Sequence, residues 1–311
     1  MPARNEIQAE INLLRTTSQD LIRRRYLQSL QAKTGHDTVI YATAFTSSKI
    51  GQIPPYLLQI TGEDIQGFMA ALHGLKGDKL DLLLHSSGGS LEAAEQVVQY
   101  LRAKYSYIRA IVPQNAMSAA TMIACACDEI VMGKQSALGP IDPQITFPTK
   151  DGFRTAPAFD LLAEFAQAKA EVSADARVAP IWVNKIRDYP PGILNTCKRT
   201  TDLSVEKVTA WLATYMFKGE SDAASKADTI AKWLGRAVEH KTHGRPINFA
   251  LAGEKGLKVV ALEEDQVLQD LVLSVFHATC ITFEFTGCVK FIENHAGRGW
   301  FVGNQAPRQG P

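Results

Sequence analysis

Asn115-Ala116-Met117-Ser118-Ala119-Ala120-Thr121 sets a serine among small residues, where the apolar run Tyr107 to Val112 ends at Pro113 and a helical pattern begins at about Ala119 and continues through about Ala126. A serine at such a junction has two uses. Its hydroxyl can cap the helix by accepting a hydrogen bond from an amide of the first turn. It can instead stand at the positive end of the helix as a nucleophile, with the Ala119 N–H facing a developing oxyanion. The serine alone does not choose between them; the flanking segments do.

A second junction of the same kind lies upstream. Leu80-Asp81-Leu82-Leu83-Leu84-His85 is followed by Ser86-Ser87-Gly88-Gly89-Ser90 and then by Leu91-Glu92-Ala93-Ala94-Glu95-Gln96-Val97-Val98, which reads as strand, glycine turn and helix. A glycine pair lets the backbone approach a ligand closely and aim its amides outward. Downstream, the apolar Glu129-Ile130-Val131-Met132 precedes Ser136-Ala137-Leu138-Gly139-Pro140-Ile141-Asp142-Pro143-Gln144. Strands near 80–85, 107–112 and 129–132 separated by helices imply right-handed crossovers and a parallel sheet, hence an α/β fold.

These blocks resemble the Clp/crotonase-fold serine peptidases, and more closely the serine dehydrogenase proteinase family, related to signal peptide peptidase A and the Clp proteolytic subunit. The resemblance rests on Leu82 to Gly89, on Ala116-Met117-Ser118 with Thr121, on Leu138 to Gln144, and on Thr242-His243-Gly244-Arg245-Pro246-Ile247 ahead of Ala252-Gly253-Glu254-Lys255-Gly256. It covers about 38–265. Many relatives carry Pro where this chain has Ser87, and Gly-Gly where it has Ala119-Ala120; the replacements keep the turns small.

The resemblance implies a Clp/crotonase-like spiral of parallel βα units with a helical insertion and a short C-terminal extension. It implies a serine endopeptidase in which Ser118 forms an acyl-enzyme, the Gly88 and Ala119 amides hold the oxyanion, and Gly89 and Ser90 bind substrate. The stretch Gly88 to Leu91 would then pair with an extended peptide as an added strand. It further implies a homo-oligomer acting on a peptide or unfolded protein, with room for an unknown partner protein. A crotonase-like acyl-CoA enzyme and a catalytically inactive scaffold are the alternatives.

A serine hydroxyl needs a base at neutral pH. Clp subunits carry a His after the nucleophile helix, but Leu138 to Asp142 holds none. His243 stands in the terminal block, where relatives also carry His, and is the favoured base; Asp142 would orient it. Signal peptide peptidase A relatives use Lys, so Lys185 and Lys198 are the alternatives. His85 reads as a core residue at a strand end, His295 as a turn residue, and Asp128-Glu129 as a helix-to-strand corner. No GxGxxG follows a strand and no GxxxxGK[ST] is present, so no cofactor is expected, and no metal site.

The 311 residues carry 33 Lys and Arg against 32 Asp and Glu, a balance that gives no reason to expect nucleic acid as the partner. The cysteines Cys125, Cys127, Cys197, Cys280 and Cys288 are odd in number and form no CxxC, which suits a reducing cytoplasm. The N-terminus is polar rather than signal-like, and no apolar run reaches the roughly 18 residues of a membrane span.

The chain divides into an N-terminal helix (1–35), a peptidase domain (36–265) and a C-terminal extension (266–311). Within the peptidase domain, 151–235 reads as helical, with helices near 158–170, 176–188 and 203–217, and the resemblance to Clp-like enzymes implies that it is the oligomerisation segment. Thr61 to Leu75 is predicted as a helix opened by a Thr61-x-x-Asp64 cap. The extension is predicted as a helix to about 277 followed by strands at 282–287 and 289–292.

Overall fold

Leu80, Leu82, Leu83 and Leu84 are all fully buried, so this run is shielded on both faces and takes the middle of a sheet. The computed structural model describes residues 6–7, 19–149, 152–187 and 189–304. Its main sheet contains β1 (Asp37–Thr43), β2 (Lys79–His85), β3 (Tyr107–Val112), β5 (Glu129–Met132) and β10 (Val259–Ala261), all mutually parallel in the order β10-β5-β3-β2-β1. β11 (Cys288–Asn294) runs antiparallel beside β1, and β12 (Gly299–Gly303) closes that edge.

The strand period of two sorts the side chains onto two layers. Val39, Tyr41, Leu82 and Leu84 join the core under α2 (Asp64–Leu72), α3 (Leu91–Lys104) and α4 (Ala119–Cys125). Ile40, Ala42 and Leu83 face the opposite layer, with Leu27 and Leu30 of α1 (Gln19–Thr34) and Leu268, Val272 and Val275 of α11 (Gln266–Phe285). The expected mixed α/β class with a parallel-rich sheet is present, with both faces covered.

A small sheet sits beyond the C-terminal ends of the parallel strands. It joins β4 (Asn115–Ala116), β6 (Ala137–Leu138) and β9 (Ile247–Asn248). β7 (Gln144–Thr149) and β8 (Gly152–Pro157) form a hairpin leading into α5 (Ala158–Ala174), α6 (Ala179–Ile186) and α7 (Ile193–Trp211). α8 (Ala223–Gly235), α9 (Ala237–His240) and α10 (Phe249–Glu254) complete the chain between α7 and β10.

Several expectations are corrected. The stretch 151–235 is not helical throughout, since 152–157 is the second strand of the hairpin. The helix expected from Thr61 starts at Asp64, yet the Asp64 carboxylate still accepts the Thr61 N–H at 3.1 Å. The strand expected at 282–287 is instead the end of α11, which runs to Phe285 against α1, its threonine hydroxyls satisfied within the helix: Thr279 to Val275 O and Thr282 to Ala278 O. Of the N-terminal helix, residues 19–34 form α1 and residues 6–7 are helical, while 8–18 lie outside the described residues. α11 is long and apolar enough to cross a membrane by composition, but 61% of its apolar window is buried inside the protein.

Candidate active site

β4 is held on both sides before the chain turns at Ser118. On one side Ser86 N–H donates to Asn115 O (3.0 Å) and Met117 N–H donates to Ser86 O (2.9 Å); on the other, Asn115 and Ala116 pair with β6. Immediately beyond, all seven residues of α4 are buried. Thr121 fastens the turn from within: its hydroxyl donates to Ala116 O at 2.7 Å and accepts Gly139 N–H at 2.9 Å. Strand and helix therefore dictate the backbone between them, and Ser118 takes φ 52°, ψ −120°, a region that L-residues avoid at a cost of about 1–3 kcal/mol. Its side chain makes no capping bond, so the capping role that small helix-start serines usually fill is absent.

The glycine turn lies against this serine. Gly88 has φ +94°, and a Cβ there would meet Met117 O, Ser118 Cβ and Ala119 N within 3 Å. Gly88 N–H donates to Ser86 Oγ at 3.1 Å, so this amide, expected to face the oxyanion, is already occupied. Gly89 behaves differently. Ile60 N–H donates to Gly88 O (2.8 Å) and Ser90 N–H donates to Ile60 O (2.9 Å), a parallel bridge that turns the Gly89 amide away from Ile60. Ala119 N–H, at the first position of α4, has no intrahelical acceptor. Ser90 spends its hydroxyl locally, accepting Ala93 N–H at 3.1 Å and donating to Glu92 at 2.7 Å.

Gly88, Gly89, Ser90, Ser118, Ala119 and His243 all line one cavity of about 560 Å³. His243 reaches it from the loop after α9, where Lys241 reverses the chain at φ 64°. Its Nδ1 lies 2.9 Å from Asp142 Oδ1, a contact spanning 101 residues, while Asp142 Oδ2 accepts Gln144 Nε2 at 2.9 Å. Asp142 is buried and His243 half-buried. Because a carboxylate only accepts, Nδ1 carries the proton in this pair, so in the neutral ring Nε2 is the nitrogen with the lone pair. Among the described residues no hydrogen bond joins Ser118 Oγ to His243.

Lys185 and Lys198 do not line the cavity. Lys185 is exposed on α6 and pairs with Glu164 at 2.8 Å, and Lys198 is exposed on α7. His85 is fully buried between Phe45 and Phe276, its Nε2 3.1 Å from the Thr46 hydroxyl, and burial pushes its pKa down to about 3. His295 accepts the Thr38 N–H at its Nδ1, and Asp128 binds Arg102 and the Ile108 N–H. Among the described residues no group of three or more His, Cys, Asp or Glu gathers to hold a metal. Burial raises the Cys127 thiol to about 12, which leaves it inert. The cavity residues that sequence reading did not single out include Gln59, Met122, Thr146 and Thr155 of the hairpin and Thr200 and Ser204 of α7; of these, Gln59 and the hairpin and α7 residues are brought to Ser118 only by the topology.

Residues 11–157 match the family described as ClpP-like SDH-type serine proteinase, a stretch that contains the glycine turn, Ser118 and Asp142 but not His243. Two uncharacterized proteins of Methanocaldococcus jannaschii are similar. One is 36% identical over 126 residues, covering 40% of this chain and 44% of the relative. The other is 39% identical over 94 residues, covering 30% and 32%. The chain thus spans less than half the length of these curated relatives.

Proposed function

We propose that the chain, whose residues 11–157 match the ClpP-like SDH-type serine proteinase family, is a serine endopeptidase working through an acyl-enzyme on Ser118. The observation that carries this reading is a serine held at φ 52° with no capping bond from its hydroxyl, in the wall of a cavity it shares with His243, whose Nδ1 is held from outside that cavity by Asp142. A strained backbone at a serine persists only where its surroundings enforce it, and such positions cluster at reacting groups.

In this mechanism Ser118 Oγ attacks the substrate carbonyl while His243 Nε2 takes its proton. Asp142, bonded to Nδ1, holds the ring's tautomer and stabilises the imidazolium. The Ala119 and Gly89 amides receive the oxyanion, because the Gly88 amide is engaged by Ser86; Gly88 serves by letting the turn lie close to Ser118. His243 then returns the proton to the leaving amine, and water repeats the sequence to release the acyl group. Bringing Ser118 and His243 into hydrogen bond is left to substrate binding, since catalytic bonds are often long in unliganded sites.

An acyl-CoA enzyme would use the same amides without a nucleophile and gives the strained serine no task. To the peptidase reading belong a Clp/crotonase-like spiral, assembly into a homo-oligomer through the α5–α7 segment, a reducing cytoplasmic setting, and peptides or unfolded chains as substrate. Labelling with a fluorophosphonate probe, read by intact mass, tests the reading. Wild type is expected to gain one adduct and Ser118→Ala none, with peptide hydrolysis falling by about 10³-fold or more. Undiminished labelling of Ser118→Ala would remove the mechanism.

A further inference from the structure

We propose that the Ser118 cavity selects peptides carrying a basic side chain, with Glu92 as the residue that confers the selection. This rests on the peptidase reading and names its substrate class. Apart from Glu92 and His243, the cavity wall is neutral, made of hydroxyl, amide and apolar side chains such as Gln59, Thr146, Thr200, Met122 and Ile141. A single carboxylate therefore sets the sign of the wall when His243 is neutral.

Glu92 is fixed where an extended peptide would pass. Its Oε2 accepts the Ser90 hydroxyl at 2.7 Å, and that same hydroxyl accepts Ala93 N–H, so the carboxylate is tied to the end of the glycine turn whose Gly89 amide faces away from Ile60. The Ser90 bond also keeps it ionised to lower pH than an ordinary glutamate. One turn further along α3, Glu95 is neutralised by Lys207 of α7 at 2.7 Å. Among the described residues Glu92 has no such cation. Glu92 is exposed at the rim of the cavity, so its charge is left for a ligand. A lysine or arginine side chain meets that charge with its own, while an acidic one is repelled.

The test uses binding, so that it reads out whether or not peptide is cleaved. A single Arg is walked along a fluorescein-labelled decapeptide of Ala, Ser and Leu, each peptide is paired with its citrulline counterpart as the neutral isostere, and affinity for Ser118→Ala protein is measured by anisotropy. At one or two adjacent positions Arg is expected to bind about two- to fivefold tighter than citrulline at low salt, with the ratio shrinking as salt rises. Adding Glu92→Gln should bring the ratio close to one, and Glu92→Lys should invert the preference toward a Glu-containing peptide. No preference for Arg at any position, an Arg preference that survives both substitutions, or no binding of any peptide would each overturn the proposal. Hydrolysis of the same peptides by wild type is scored separately: peptides bound with the Arg preference but never cleaved would sink the peptidase reading and leave the charge selection standing.

Discussion

A Cβ built on Gly88 would stand 2.7 Å from the Cβ of Ser118. No pair of side-chain carbons packs so closely, and the other neighbours of that position are the Met117 carbonyl and the Ala119 amide, which belong to the strand and helix that fix Ser118. The glycine turn and the serine turn are therefore a single packed unit. Displacing one moves the other.

Gly88→Ala is expected to lose about 10²-fold or more in kcat/KM, because a misplacement of about 1 Å at the nucleophile is enough for such a loss. It should also lower stability by about 1–3 kcal/mol, from the clash together with the positive φ. Steady-state kinetics on a fluorogenic peptide and urea unfolding measure the two. A Gly88→Ala protein with wild-type turnover would mean that the two turns are not rigidly coupled.

The strain at Ser118 gives a prediction of opposite sign. With φ at 52°, a glycine fits this backbone better than any residue with a Cβ, so Ser118→Gly should be more stable than Ser118→Ala by about 1 kcal/mol, although both are inactive. Chemical denaturation of the two inactive variants isolates the backbone contribution from the hydroxyl. Equal stabilities would show that the surrounding strand and helix relax when the side chain changes.

The glycine turn and the serine turn were legible in the sequence because each follows a mostly apolar run, Leu80 to Leu84 broken only by Asp81 and Ile108 to Val112 broken only by Arg109, and those two charges pair with each other at 2.9 Å. Other parts were not. Thr282 to Thr286 has the β-branched and aromatic content of a strand, but packing of α11 against α1 overrides that preference, and the threonine hydroxyls are satisfied at i−4. The choice between the Gly88 and Gly89 amides turns on the Ser86 hydroxyl and on the bridge to Ile60, neither of which leaves a trace in local spacing. The Asp142–His243 contact joins residues 101 apart, so only the resemblance to relatives pointed to it. Thr146 and Thr155, facing each other across the hairpin with hydroxyls 2.8 Å apart, lie in a stretch whose strand pattern reads as loop and helix in the sequence.

Asp142 and His243 should be kinetically inseparable. Asp142→Asn presents an amide to Nδ1 and favours the tautomer with the proton on Nε2, so kcat is expected to fall by about 10²–10⁴-fold, approaching the loss in His243→Ala. KM should change little, as neither group is asked to bind substrate in its ground state. Lys185→Ala and Lys198→Ala, whose side chains lie outside the cavity, should keep near-wild-type kcat. A Lys variant that loses activity while His243→Ala retains it would transfer the base to that lysine.

His85 makes stability pH-dependent at the strand that carries the glycine turn. Among the described residues its Nδ1 is buried without a partner, Phe45 and Phe276 pack its ring, and burial holds its pKa at about 3 against an ordinary 6.5. The folded state thus refuses a proton that the unfolded chain accepts below pH 6.5. The stability supplied by the neutral, packed imidazole is complete above pH 6.5 and is lost progressively as pH falls toward 3, at about 1.4 kcal/mol per pH unit and on the order of 4–5 kcal/mol in all. His85→Phe keeps an aromatic ring in the same packing and cannot take a proton. Urea unfolding at pH 7, 6 and 5 should therefore show wild type losing stability more steeply than His85→Phe, by close to one proton's worth per unit. Parallel pH profiles for the two proteins would place the acid sensitivity elsewhere.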